Sequence, residues 1–240
     1  MSFAFDRSDA RDNPGVIVLP RAGVYWVSRG ADLRRGQRLR LGRSPSTYSY
    51  EGVGLSVSRH PEAWARIAKI PGPTYRFTRA DGVPGRFVRF EPVVAARAYA
   101  WGVRHGWLLA REAWAVSYWD DEAGGEMTMV LRSLDEVEAE GYDRADAVAA
   151  TVYGGTPALA ARWAAYFGGF QGERELDVTY AMAEAANLWL AATHPTADGW
   201  WWEGPLSVAN LQAPRGVILP HAMERWQVAE RLPPGPQPGR

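Results

Sequence analysis

Hydrophobic and polar residues alternate with a period of two in short stretches near both ends of the chain. This pattern predicts β-strands, because successive side chains of a strand point to opposite faces. The predicted strands are 16–19, 24–29, 54–58, 75–79, 86–90, 199–203, 215–219 and 224–228. Turn-forming residues at 81–85 join two of these strands, which predicts that 75–79 and 86–90 form a hairpin. A second hairpin is predicted for residues 113–119 and 126–131.

Apolar residues recur at helical spacing in the middle of the chain instead. Ser133 and Glu136 fit a capping box, and Thr156 fits an N-cap followed by proline at the first helical position. Residues 173–193 place one buried face along a helix, and that face includes Asn187. Two further helices are predicted at 61–70 and 92–106.

These elements predict an α+β fold. We expect a split, mixed or antiparallel sheet built from both chain ends, within a single domain that spans residues 15–230. A helical insertion is expected at about 132–195. Residues 1–14 are predicted to be a flexible arm, and the Pro- and Gly-rich segment 231–240 a disordered tail.

Charge and cysteine content exclude several functions. The 240 residues carry 27 basic and 27 acidic side chains, which disfavours nucleic acid as the main partner, although arginines cluster at 34–43. The absence of cysteine excludes disulfides, thiolate metal sites and cysteine nucleophiles. The four histidines lack metal-ligand spacing, so no metal site is predicted. No apolar run resembles a secretory signal or a membrane span, so we expect a cytoplasmic protein without membrane contact. The sequence does not indicate an oligomeric state.

Twelve tryptophans are present, and three of them are consecutive at 200–202. Side chains of a strand alternate between its faces, so these three cannot all point the same way. At least one of them must therefore meet solvent, a ligand or a second packing layer.

The segment between residues 24 and 68 contains most of the candidate ligand-binding residues. Tyr25 and Arg29 share a face of the strand predicted at 24–29. Gly52 lies just before the strand predicted at 54–58, and Gly54 begins it. Ser56 and Ser58 lie two residues apart on that strand, and the helix predicted at 61–70 follows. This order resembles the N-terminal half of the ADP-ribosyltransferase fold.

The resemblance implies that NAD is the substrate, held bent with its nicotinamide in a slot between two strands. Tyr25 or Arg29 would then grip the ribose or a phosphate, and Gly52 and Gly54 would allow close approach of the backbone. Ser56 and Ser58 resemble the S-x-S element of the arginine-type branch. The histidine-type branch has a histidine on the first strand, and this chain has none there.

The family also uses a late carboxylate, which stabilises the cation that develops as nicotinamide leaves. Glu203, directly after the tryptophan triplet, is the candidate, and Glu224 is the reserve. Neither lies in the family's E-x-E or Q-x-E context, and the resemblance covers residues 24–68 best.

Two functions of different classes follow from these residues. The first is an ADP-ribosyltransferase-like enzyme that cleaves the nicotinamide–ribose bond of NAD. It would transfer ADP-ribose to a macromolecule, most simply a protein, or hydrolyse NAD. The alternative is a non-catalytic protein-binding module, of the kind that phages and mobile elements encode, with exposed tryptophans and arginines as anchors.

Overall fold

The computed structural model describes residues 16–18, 23–27, 32–40, 52–60, 72–122, 124–167, 178–202 and 215–232. The first strands are β1 (Val16–Val18), β2 (Val24–Val27), β3 (Leu55–Ser58), β4 (Thr74–Arg79) and β5 (Arg86–Arg89). They are followed by β6 (Leu108–Asp120), β7 (Gly125–Leu131), β8 (Val148–Gly155), β9 (Gly199–Trp202), β10 (Arg215–Ile218) and β11 (Trp226–Leu232). The helices are α1 (Pro92–Arg104), α2 (Leu134–Ala139), α3 (Pro157–Phe167) and α4 (Val178–Thr193). Short 3₁₀ helices span Arg144–Asp146 and Pro220–Arg225.

The predicted α+β class is confirmed, and both chain ends contribute to one large sheet. Its strand order is β1-β5-β9-β10-β3-β2-β4-β11. The contact between β5 and β9 is parallel and the other pairings are antiparallel, so the sheet is mixed. β11 is an edge strand and lies six places from β5 in this order. The rings of Phe87 on β5 and Trp226 on β11 are nevertheless only 5.9 Å apart. The sheet is therefore strongly curved.

The predicted hairpin between β4 and β5 is wrong, although both strands form. β4 pairs with β2 and β11, whereas β5 pairs with β1 and β9. At the end of β4, the Ala80 amide donates to the carbonyl of Arg225. At the start of β5, the Arg86 amide donates to the carboxylate of Asp198. Each strand end thus bonds to the C-terminal part of the chain, and the loop between them joins distant strands.

A second sheet contains three strands in the order β7-β6-β8. The hairpin of β6 and β7 is confirmed, with Trp114 opposite Leu131 and Asp120 opposite Gly125. β8 lies inside the segment 132–195, for which the sequence predicted only helices. It pairs antiparallel with the first part of β6 from Leu108 to Ala115.

The predicted helix caps at Ser133 and Thr156 within that segment are confirmed, whereas the predicted start of the 173–193 helix lies outside the described residues. The Glu136 amide donates to Ser133 Oγ over 3.1 Å, which caps α2. The Leu159 amide donates to Thr156 Oγ1 over 3.3 Å, which caps α3 ahead of its initial proline. Each cap satisfies a backbone donor that the helix leaves unpaired.

Both faces of the large sheet are packed, and this explains the tryptophan triplet. Trp200 and Trp202 lie on the face covered by α1 and α4, where Trp200 stacks on Trp189 with ring centroids 5.7 Å apart. Trp201 points to the opposite face and packs edge-on against Phe87. All three tryptophans are buried. Of the three predicted environments, the second packing layer is the one observed.

No helix among the described residues has both the length and the apolar character needed to span a membrane.

Candidate functional site

Polar residues from six neighbouring strands line up across the large sheet. Residues directly opposite each other on paired strands lie on the same face. We call the resulting set the polar row, and in spatial order it contains Trp202, Arg215, Ser58, Tyr25, Arg76 and Glu230. The polar row lies on the face against which α1 and α4 pack. It brings together two of the predicted site residues, Tyr25 and Ser58. It also contains two arginines, Arg215 and Arg76, that the sequence analysis did not select.

One end of the polar row is buried. Arg215 is 4 % exposed, and its guanidinium carbon lies 5.7 Å from the centroid of the Trp202 ring, within range of a cation–π contact. Ser58 is fully buried, and its hydroxyl accepts a hydrogen bond from the His60 amide over 3.1 Å. This bond fixes the chain where β3 ends. The buried end of the row therefore combines a positive charge, an indole and a hydroxyl.

The other end of the polar row reaches the surface. Tyr25 is half-buried, and Arg76 donates to Glu230 over 3.0 Å in a partly exposed ion pair. Ser56 lies two residues before Ser58 on the same face, opposite Val217, and is also half-buried. Tyr25 and Ser56 are thus the predicted residues that a ligand in solvent can touch.

Two predicted site residues, Arg29 and Glu203, lie outside the described residues. β2 ends at Val27, two positions before Arg29, and β9 ends at Trp202, directly before Glu203. Trp202 belongs to the polar row, so the strand that leads to the candidate carboxylate ends in that row.

Gly52 and Gly54 are required by packing within the protein. Gly52 has φ +75°, and a Cβ there would overlap the side-chain amide of Asn187. A Cβ at Gly54 would overlap the Val217 side chain. We expected these glycines to allow close approach of NAD to the backbone. The groups that approach the backbone there are side chains of α4 and β10. These two glycines therefore need no ligand to explain them.

A buried carboxylate on α4 holds the chain just before β3. Glu184 is fully buried, and it accepts hydrogen bonds from the Val53 amide over 2.8 Å and from Arg162 Nε over 2.7 Å. Asn187, one turn further along α4, donates to the Val53 carbonyl over 3.5 Å. Burial raises the pKa of Glu184, and the bonds from Val53 and Arg162 partly oppose that shift. This group, which we call the α4 clamp, fixes the backbone that leads to Ser56.

The sequence analysis missed Glu184, although a signal existed. It placed Asn187 on the buried face of this helix, and Asn187 is buried as expected. Glu184 lies three residues earlier, so it shares that face. An acidic residue on a buried helical face requires a partner, and this requirement points to Glu184 as a structural anchor.

A second buried carboxylate, Asp198, ties several elements together at the start of β9. It accepts two contacts from Arg79 Nη1, at 3.0 and 3.1 Å, and one from the Arg86 amide at 2.8 Å. Arg225 lies 3.8 Å away, and Arg79 also pairs with the exposed Asp81. Two arginines and one backbone donor thus surround one fully buried carboxylate. Such complete engagement indicates a structural role.

Glu224, the reserve carboxylate, is distant from the polar row in register. It lies in the 3₁₀ helix that ends at Arg225, and it is exposed. Trp226, two residues later, pairs with Arg79, whereas Arg76 belongs to the polar row. Trp226 is therefore three register positions from the row, and Glu224 lies beyond it in the 3₁₀ helix, on the side where Arg79 bonds to Asp198.

No family model matches this chain, and no curated protein or solved structure is significantly similar to it. What this site could bind must therefore be inferred from its own residues. The partly exposed groups on this face include Arg76, the phenol ring of Tyr25 and the Ser56 hydroxyl, and they suit a ligand that is both anionic and aromatic. Within the described ranges, no group of three or more acidic or histidine side chains is placed to hold a metal ion.

Proposed function

We propose that this protein binds NAD at the polar row and cleaves its nicotinamide–ribose bond. The observation that supports the proposal is the register itself. It aligns Tyr25 and Ser58 from the N-terminal strands with Arg215 and Trp202 from the C-terminal strands. Arg215, Ser58 and Trp202 are buried, whereas Tyr25 and Arg76 are partly exposed, so the groups that a ligand can reach lie at the Tyr25–Arg76 end of the row.

Three parts of NAD have a matching type of group in or beside the row. The diphosphate is anionic and suits a guanidinium, such as that of Arg76, which is partly exposed. The nicotinamide is a planar cation, and it suits an aromatic ring such as that of the half-buried Tyr25. The Ser56 hydroxyl can hydrogen-bond a ribose hydroxyl or the carboxamide.

The proposed reaction breaks the bond between the nicotinamide nitrogen and the ribose carbon. Nicotinamide departs with the bonding electron pair, and positive charge develops on the ribose. The Glu203 carboxylate, which follows Trp202 in the chain, would stabilise that charge. The ribose carbon is then attacked by a nucleophile of an acceptor protein or by water, and in either case the nucleophile loses a proton.

The alternative of a protein-binding module anchored by exposed tryptophans receives less support. Among the described tryptophans only Trp119 is exposed. The others pack in the cores or are half-buried, so they do not form an exposed cluster.

A nicotinamide-release assay on purified protein tests the enzymatic proposal. Glu203→Gln keeps the size of the side chain and removes its charge. We expect it to bind NAD and to release nicotinamide about 10²–10³ times more slowly, as for the loss of one transition-state stabilising group. Ser56→Ala should weaken NAD binding, because one hydroxyl contact is lost.

Glu224→Gln is the matched control, because it makes the same chemical change at an exposed carboxylate away from the polar row. It should leave the rate unchanged. Absence of nicotinamide release from the unmutated protein, with or without acceptor proteins, would reject the proposal. Full activity of Glu203→Gln would reject Glu203 as the stabilising carboxylate.

A further inference from the structure

Residues 33–40 form a segment that runs along the outer side of β11, the edge strand of the large sheet. The Leu39 amide donates to the Trp226 carbonyl over 2.9 Å, and the Val228 amide donates to the Gln37 carbonyl over 2.9 Å. These two bonds follow the pattern of an antiparallel ladder. The segment is therefore fixed to the sheet as a short additional strand would be.

The leucines of this segment pack into the core, whereas its arginines are exposed to solvent. Leu39 is 5 % exposed, and Leu33 packs against the same core cluster. Arg38 and Arg40 flank Leu39, so both lie on the opposite face of the extended chain. We call the exposed arginines of the segment the arginine strip, and its members are Arg34, Arg35, Arg38 and Arg40.

A turn fixes the backbone at one end of the arginine strip. The Gln37 amide donates to the Arg34 carbonyl over 2.9 Å, and the Gln37 side chain accepts from the Arg34 amide over 3.1 Å. Gly36 is the third residue of this turn, and its φ of +80° is the value that a type II turn requires there. Arg35 therefore lies at the tip of the turn. Because the backbone is already ordered, binding through these side chains costs little additional chain entropy.

Among the described residues, no carboxylate forms an ion pair with any guanidinium of the arginine strip. Asp32, the nearest acidic residue in the sequence, pairs with Arg231 over 3.0 Å. Arg38 donates to the backbone carbonyl of Glu224 over 3.3 Å, and a carbonyl does not neutralise its charge. Four positive charges are thus concentrated on one edge of a protein whose formal net charge is zero.

The surroundings of the arginine strip distinguish between the anionic partners that it could bind. Arg38 and Arg40 lie about 7 Å apart along the extended chain, and the other two arginines lie at the turn before them, so the charges follow the edge of the sheet. A guanidinium offers a planar fork of donors that matches phosphate. A protein partner or a lipid surface would also need apolar anchors. The large apolar side chains that are exposed among the described residues all lie outside 33–40. A chain of phosphates therefore fits this surface best.

We propose that the arginine strip binds the phosphodiester backbone of a nucleic acid without regard to base sequence. Residues 33–40 contain no aromatic side chain on which a base could stack, so recognition depends on charge. The dissociation constant should lie at about 10⁻⁴–10⁻⁶ M, the range of non-specific binding. The arginine strip shares no residue with the polar row, so this interaction does not depend on the proposed enzymatic function.

Fluorescence anisotropy of a labelled single-stranded DNA of about 20 nucleotides, titrated with the full chain, tests the proposal. Four phosphate contacts should make the logarithm of the association constant fall with the logarithm of the salt concentration at a slope of about −3. This slope is a loss of about 50-fold between about 50 and 200 mM salt. Arg38→Gln with Arg40→Gln should halve the slope to about −1.5 and weaken binding at least about tenfold at the lower salt concentration. Substitution of all four arginines by glutamine should abolish binding.

Arg111→Gln with Arg132→Gln is the matched control. It removes the same charge at two exposed arginines, one on β6 and one directly after β7, away from β11. This control should bind the DNA within about twofold of the native protein, because long-range charge is screened by salt. A native chain that shows no binding at about 200 μM protein in about 50 mM salt would overturn the proposal. Equal losses in the control and in Arg38→Gln with Arg40→Gln would overturn it as well.

Other ligands test the assignment to nucleic acid. Single-stranded RNA and duplex DNA carry the same phosphodiester group, so their binding should be lost in the same variants. Oligonucleotides of different base sequence should bind within about threefold of one another, because the arginine strip contacts no base edge. Poly-glutamate that competes as well as DNA at equal charge would overturn the proposal. Binding to phosphatidylserine vesicles that is stronger than binding to DNA and is lost in the same variants would also overturn it.

Discussion

Removing the charge of Asp198 should destabilise the fold far more than removing that of Asp81, although both carboxylates pair with Arg79. Asp198 is fully buried, whereas the Asp81 side chain is 47 % exposed. Asp198→Asn keeps the shape of the side chain but replaces one acceptor oxygen by an amide donor that faces Arg79. Arg79, whose side chain is 12 % exposed, and the Arg86 amide then lose the negative charge of Asp198 to which they donate.

The magnitude follows from the contacts. Breaking a buried ion pair by altering one partner costs about 3–5 kcal/mol, and the lower end applies because Arg79 keeps Asp81. An exposed pair contributes about 0.2–1 kcal/mol, because solvent screens it. Asp198→Asn should therefore lower the free energy of unfolding by about 3 kcal/mol and Asp81→Asn by less than about 1 kcal/mol.

Urea denaturation followed by tryptophan fluorescence measures this difference. With a slope of about 2–3 kcal/mol per molar urea, the midpoint of Asp198→Asn should fall by roughly 1 M or slightly more. The midpoint of Asp81→Asn should move by less than about 0.5 M. Equal shifts for the two variants would refute the reasoning that the buried carboxylate stabilises the junction of β4, β5 and β9.

The α4 clamp gives two further predictions. Gly52→Ala should destabilise the protein by at least about 2 kcal/mol more than Gly36→Ala in urea unfolding. Both glycines have a positive φ, but only at Gly52 does the new methyl group overlap Asn187; equal losses would contradict this. Because the pKa of Glu184 is raised above its ordinary value of 4.5, the folded protein binds more protons than the unfolded chain from about that pH up to the raised pKa. The free energy of unfolding of the native protein, minus that of Glu184→Gln, should therefore decrease as the pH rises from 4.5 to 7. A difference that stays constant across these pH values would contradict the raised pKa.

Local sequence determined the elements whose signals need no distant partner. The caps at Ser133 and Thr156 satisfy backbone donors three residues away, so the pattern alone locates them. The β6–β7 hairpin likewise depends on alternation and a short turn. Alternation also placed Ser56 and Ser58 on one face of a strand, as the register confirms.

Tertiary structure decided which strands pair and which residues become buried anchors. The sequence 148–155 contains two alanines and no strict alternation, and it becomes β8 because the long β6 offers it a partner. The link at 81–85 is a good turn, yet β4 and β5 separate because Asp198 and Arg225 bond to their ends. Asp198 and Glu184 are ordinary acidic residues in the sequence, and only the packing of distant elements surrounds them with donors. The polar row has the same origin, because it depends on pairings such as Ser58 with Arg215 and Arg76 with Glu230, which join distant parts of the chain.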